Sequence, residues 1–230
     1  MRRLPLNIAA LLLAAASLAP PLARGATVDA SGDAVVFDGR IDARSAQQFL
    51  QLLQDPAIRR LVITSRGGLV DAALDMAEAI AVRELDVEVP TVCLSSCANY
   101  IFPAGRRKSL GWPGAVAWHG NMTHIVWLDQ TGHGAWTREE MDDARRLARR
   151  EARFYARIGV DGFACWFGKI APYDVEDFYR LSVADMERFG IGDVTVHDEV
   201  PPGTPASELR TLDVDWSTLD AIRPVVTLDP

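Results

Sequence analysis

The run Leu61-Val62-Ile63, followed by Thr64-Ser65-Arg66-Gly67-Gly68, constrains this chain more than any other stretch. The three apolar residues predict a buried strand, and the two glycines end it with positions free to take positive φ. From Leu69 a helical stripe begins: Leu69, Ala72, Ala73, Met76, Ala77, Ile80. A strand that turns through Gly-Gly into a helix aims backbone N–H groups into a crevice at the carboxyl end of a sheet. Developing negative charge is stabilised there. Val89 to Cys93 predicts a second strand, and Ser95-Ser96 stands where the next helix would begin. The pattern is one of amides facing a serine.

The flanking sequence repeats the unit. Val35-Val36-Phe37 predicts a strand, Gly39 a turn, and Asp42 the cap of a helix carrying Ala46, Phe49, Leu50 and Leu53. Strand, helix, strand, helix, strand in succession predicts an α/β fold with a mostly parallel sheet. Downstream, Ala98 to Phe102 reads as a brief helix stopped by Pro103. Ala115 to Trp118 reads as a strand that delivers His119, 23 positions after Ser96. Gly120 to Gly134 is rich in Gly, His, Asn and Thr and reads as a loop or lid beside the site. Thr137-Arg138-Glu139-Glu140 is a capping box opening a helix to about Ile158, with Asp142 and Arg146 as an i,i+4 pair. The arginines at 145, 146, 149, 150 and 153 read as a solvated face.

The ends of the chain bear on where it works. Residues 1–25 have the form of a secretory signal: basic Arg2-Arg3, a Leu/Ala run from Ile8 to Leu18, then Ala23-Arg24-Gly25. The expectation is an exported, periplasmic or secreted protein with no transmembrane span once the signal is removed. Residues 26–198 would form the α/β domain, and 199–230 a Pro-containing linker (Pro201 to Pro205) and tail. Loss of Arg2, Arg3 and Arg24 takes the net charge from −7 to −10. Nucleic acid is therefore not an expected partner, since binding phosphate backbones needs a basic face.

Three cysteines in an exported chain fit an oxidising compartment. A Cys93–Cys97 bridge would tie the strand end to the serine helix, although three pairings are arithmetically open. His119, His124 and His133 lack a metal-site pattern, and neither metal nor cofactor is expected.

Val35-Val36-Phe37-Asp38-Gly39-Arg40-Ile41, the Ser-Arg-Gly-Gly turn, Ser96 and Ala115-Val116-Ala117-Trp118-His119 together resemble the Clp protease proteolytic subunit, within the Clp-protease/crotonase superfamily. The likeness spans about Val35 to Val194. It implies a Clp/crotonase-like fold, a peptide or protein substrate, homo-oligomeric assembly and a serine hydrolase acting through an acyl-enzyme. Ser96 would be the nucleophile, His119 the base, and the amides of Gly68 and Cys97 the oxyanion hole. Arg66 departs from the family's Ser-Pro-Gly-Gly. The residues flanking the serine, Ser95 and Cys97, leave Ser95 as the alternative nucleophile and Cys97 with His119 as a cysteine variant. The family's third residue, an Asp, aligns with Phe178 here. Asp177 is one position away and is the expected acid, with Asp174 next. The mismatch leaves a catalytically inactive scaffold or binding protein of the cell envelope as the rival reading. Acyl-CoA chemistry on the same fold fits poorly with export.

Overall fold

The Leu61–Ile63 run forms an inner strand of a six-stranded sheet. The computed structural model describes residues 25–111, 115–197 and 209–228. The signal expected over residues 1–25, except Gly25, and the Pro201–Pro205 linker lie outside the described residues. In chain order the elements are β1 (Thr27–Ser31), β2 (Ala34–Asp38), α1 (Ala43–Leu52), β3 (Arg60–Thr64), α2 (Val70–Arg83), β4 (Asp86–Val89) and β5 (Val92–Leu94). Then come a π-helical turn (Cys97–Ile101), α3 (Phe102–Ala104), β6 (Lys108–Leu110), β7 (Ala115–Ala117), α4 (Met122–Gln130) and α5 (Arg138–Ile158). β8 (Tyr179–Arg180), α6 (Val183–Arg188), β9 (Val194–Val196), β10 (Arg210–Thr211) and α7 (Trp216–Ile222) complete the order.

The large sheet runs β1-β2-β3-β4-β6-β9. Only β1 is antiparallel to its neighbour, so the chain is a mixed α/β protein with a mostly parallel sheet. Parallel neighbours need crossovers, and α1 and α2 supply the first two. Asp42 caps α1 by a reciprocal pair of hydrogen bonds with Ser45 (2.8 and 2.9 Å). Phe37, Ile41, Phe49, Leu61, Ile63, Met76 and Ile80 share one buried core. Each such side chain contributes about 1.5–3 kcal/mol relative to exposure.

The sequence reading needs correction in four places. Val89–Cys93 is not one strand: Pro90, lacking an N–H, separates β4 from β5, which leaves the large sheet to pair in parallel with β7. The brief helix after the serines is a π-helical turn running into α3, with Pro103 inside the first turn of α3, where no N–H is needed. The stretch 120–134 is not an open loop, because α4 occupies Met122–Gln130, capped by Asn121 Oδ1 accepting from the His124 amide (3.0 Å). Lastly, Asp142 pairs with Arg145 (3.6 Å), whereas Arg146 pairs with Asp143 and Asp71 (2.7 and 2.6 Å).

The arginine face is therefore not simply solvated. Arg150 also reaches Asp71, Asp75 and Glu78 of α2, joining α2 to α5. The capping box of Thr137 and Glu140 does open α5. In the tail, β10 pairs in parallel with β8, and Leu212, Val214 and Leu219 are buried against the same core.

Candidate functional site: a serine and an imidazole at a strand-to-helix turn

β5 ends at Leu94 and the π-helical turn begins at Cys97, so Ser95 must reverse the chain between them. It does so at φ 57, the left-handed region, which costs an L-residue about 1–2 kcal/mol. Several contacts hold it there. Its N–H donates to the Ala117 carbonyl (3.3 Å), and its carbonyl accepts from the Asn99 amide (2.8 Å). The Cys93–Cys97 disulfide, with Cα atoms 5.1 Å apart, brackets it two residues to either side. Gly67, at φ 89, packs on the turn so closely that a Cβ would sit 2.8 Å from Ser95 Cβ and 2.7 Å from the Leu94 carbonyl oxygen. Only glycine fits both the dihedral and the space.

His119 follows β7 and is fixed through its neighbours. Trp118 exchanges two backbone hydrogen bonds with Tyr179 (both 2.9 Å). The Gly120 amide donates to the Cys165 carbonyl (2.8 Å), while Asn99 Nδ2 donates to the Gly120 carbonyl (2.8 Å). The ring so placed puts Nε2 2.8 Å from Ser95 Oγ. Its other contact is the Phe178 ring, centroid to centroid 4.5 Å at 45°. Partial desolvation, then the Lys169 ammonium, holds the imidazole below its ordinary pKa. The neutral form is thereby favoured, and only that form can accept a proton.

The structure separates the two serines. Ser95 meets the imidazole; Ser96 is buried and donates its hydroxyl to the Gly68 carbonyl (2.8 Å). The geometry favours Ser95, the alternative that the sequence left open, over Ser96 as the serine in contact with His119. Cys97 is held in the disulfide, which removes it as a thiolate nucleophile.

With Ser95 against the imidazole, the amide that follows the serine is that of Ser96 instead of Cys97, while the Gly68 amide is the one expected from the sequence. The amides of Ser96 and Cys97 lie in the first helical turn, where no intrahelical acceptor exists. The Gly67 amide is engaged by Ser65 Oγ (3.1 Å), leaving that of Gly68 as the donor from the Gly-Gly turn. A Cβ on Gly68 would lie 1.8 Å from the Ile41 carbonyl oxygen, so this position too admits only glycine.

Among the described residues, no carboxylate hydrogen-bonds to the ring. Asp177 contributes its main-chain carbonyl to Lys169 Nζ (2.7 Å). Asp174 turns the chain at φ 44. The ring that does meet the imidazole is that of Phe178. Lys169 Nζ donates to the carbonyls of Val175, Glu176 and Asp177 (2.9, 2.6 and 2.7 Å) and so clamps the segment that presents Phe178. Sequence reasoning missed this clamp, because three main-chain acceptors leave no side-chain signature.

It also missed Glu151. This fully buried carboxylate accepts from the amides of Met122 and Thr123 (3.0 Å each), from the Thr123 hydroxyl (3.1 Å) and from the Tyr100 hydroxyl. A buried glutamate inside an amphipathic helix was the available signal. Of the other histidines, His124 is stacked between Trp127 and Trp166, and burial pushes it down to about 4. His133 Nδ1 lies 3.1 Å from the Thr131 hydroxyl. Among the described residues no cluster of His, Cys, Asp or Glu could hold a metal ion.

No protein-family model and no curated protein matches the sequence. Among solved structures, the chain is similar to the crystal structure of the ClpP protease catalytic domain from Plasmodium falciparum. The two share 14% identity at a TM-score of 0.47, covering 75% of this chain and 89% of that one. Among the described residues, no helix is long and apolar enough to cross a membrane.

Proposed function

We propose that the chain is a serine hydrolase that cleaves peptide bonds through an acyl-enzyme, with Ser95 and His119 as a dyad. The observation that carries this is the 2.8 Å approach of His119 Nε2 to the hydroxyl of a serine held at positive φ. A serine hydroxyl is a weak nucleophile and needs an adjacent base and a home for the oxyanion. Ser95 Oγ attacks the carbonyl carbon while its proton passes to Nε2. The amides of Gly68 and Ser96 receive the oxyanion. As the C–N bond breaks, the imidazolium returns the proton to the leaving amine. Water then loses a proton to Nε2 and attacks the ester, releasing the acid and the free serine. Peptides as substrates follow from the sequence resemblance. Export follows from the leader-like residues 1–25 together with the disulfide.

A second reading, a non-catalytic envelope scaffold, has one observation in its favour: among the described residues no carboxylate hydrogen-bonds to His119. A fluorophosphonate probe separates the two. Wild-type chain should label at Ser95. Ser95→Ala and His119→Ala should each lower the labelling rate by about a thousandfold or more, while Ser96→Ala should keep most of it. Labelling that is absent, or indifferent to both Ser95 and His119, would leave the scaffold reading in possession.

A further inference from the structure

Gly67, which packs on the Ser95 turn, also lines a cleft together with two arginines. Arg66 precedes it in the turn. Arg40 precedes Ile41, whose amide donates to the Gly67 carbonyl (3.0 Å). Both arginines line a cleft of about 570 Å³ whose walls include Gly67, Val92 and Asp38. Both are exposed, and among the described residues neither guanidinium has a hydrogen bond or an ion pair. Other arginines of the chain are tied to acids: Arg60 to Asp33, Arg106 and Arg107 to Asp86, Arg150 to three acids of α2. Asp38 is the one acid on the cleft wall, so two positive charges face one negative. In a molecule of net charge −7, this is a local positive patch whose wall includes Gly67, the residue packed on the turn of the proposed nucleophile.

We propose that this cleft is a subsite for a carboxylate on the substrate, and that Arg40 and Arg66 select peptides carrying an acidic group beside the bond to be cut. The chemistry suits it: a guanidinium presents paired N–H donors that match a carboxylate, and such charge-assisted bonds are roughly twice as strong as neutral ones. The proposal rests on the Ser95–His119 reading for its place beside a scissile bond, but its binding is measurable without turnover.

The test is therefore run on Ser95→Ala chain, by fluorescence anisotropy with three labelled peptides. One has an internal Glu and an amidated end, one has Gln in its place with the same amidated end, and one is the Gln peptide with a free carboxyl terminus. At least one carboxylate-bearing peptide should bind about tenfold more tightly than the neutral one, and by less as salt is raised. The better of the two assigns the carboxylate to a side chain or to the chain end. Arg40→Gln with Arg66→Gln should equalise all three, and Arg66→Glu should turn the preference toward a Lys peptide. Equal binding of the three peptides, or a preference that survives the double variant, overturns the proposal. Fluorophosphonate labelling of chain with Ser95 intact reports separately on the hydrolase reading.

Discussion

One helical turn serves two regions that are built in opposite ways. At its N-terminal end stands the crevice, where Ser95 holds an unfavourable φ and the His119 ring has a single hydrogen-bond partner among the described residues. Five residues on from Ser95, Tyr100 enters a polar layer behind the crevice, where Glu151 accepts from four donors and is fully buried. The front leaves groups under-paired and strained; the back pairs them fully. On the proposed hydrolase reading, the front is the part that reacts and the back the part that holds. The two are joined through α4, whose first three amides are all capped, by Glu151 and by Asn121. That helix begins three residues after His119.

This division predicts that a substitution behind the crevice lowers stability far more than one within it. Glu151→Ala removes four acceptor contacts at once, leaving the Met122 and Thr123 amides and the Tyr100 hydroxyl unpaired in the interior. The expected loss is about 3–5 kcal/mol in urea unfolding. Ser95→Ala, by contrast, should change the same measurement by under about 1 kcal/mol, since it deletes one exposed hydroxyl contact. Equal effects at the two sites would break the comparison.

The disulfide lies between these extremes. It closes a five-residue segment, for which chain entropy gives about 2 kcal/mol. It also brackets the strained residue, so its loss should reach the front as well. The double variant Cys93→Ala/Cys97→Ala should unfold about 2 kcal/mol more easily, and in its folded form label with fluorophosphonate about tenfold more slowly. A labelling rate unchanged in folded double variant would show that Gly67 and the Ala117 and Asn99 hydrogen bonds hold Ser95 without help.

What could be read beforehand divides along the same line. The alternating units, the Asp42 cap and the Thr137 capping box were legible because local pattern and tertiary packing agree there. So was the convergence of the Gly-Gly turn, a serine and His119. The register was not. Ser95 and Ser96 are identical in type and adjacent, and they differ only in a backbone dihedral fixed by packing of Gly67 and by the disulfide. α4 was hidden because Gly120, Gly132 and Gly134 flank it and its cap is a single Asn121. The Phe178 contact was hidden, since nothing in the sequence says that a ring would lie on a ring.

The smallest effect sharpens the comparison at the imidazole itself. In the proposed dyad His119 acts as a base only when neutral, and desolvation followed by the Lys169 charge places its pKa below 6.5. The acid limb of kcat/KM should accordingly lie below pH 6.5, activity falling as the pH drops through the lowered value. Removing the ammonium removes one of the two causes, so Lys169→Gln should move that limb upward, and the ratio of rates at pH 6 and pH 8 should fall. Lys169 also clamps the carbonyls of residues 175–177, and a shift could arise from a displaced Phe178 instead of a lost charge. Lys169→Arg discriminates, because it keeps the charge while changing the clamp geometry. A limb that stays in place in Lys169→Arg and moves in Lys169→Gln assigns the shift to electrostatics. Equal movement in both would make the lysine a mechanical support of the Phe178 segment, and so would place it with the holding half of the molecule.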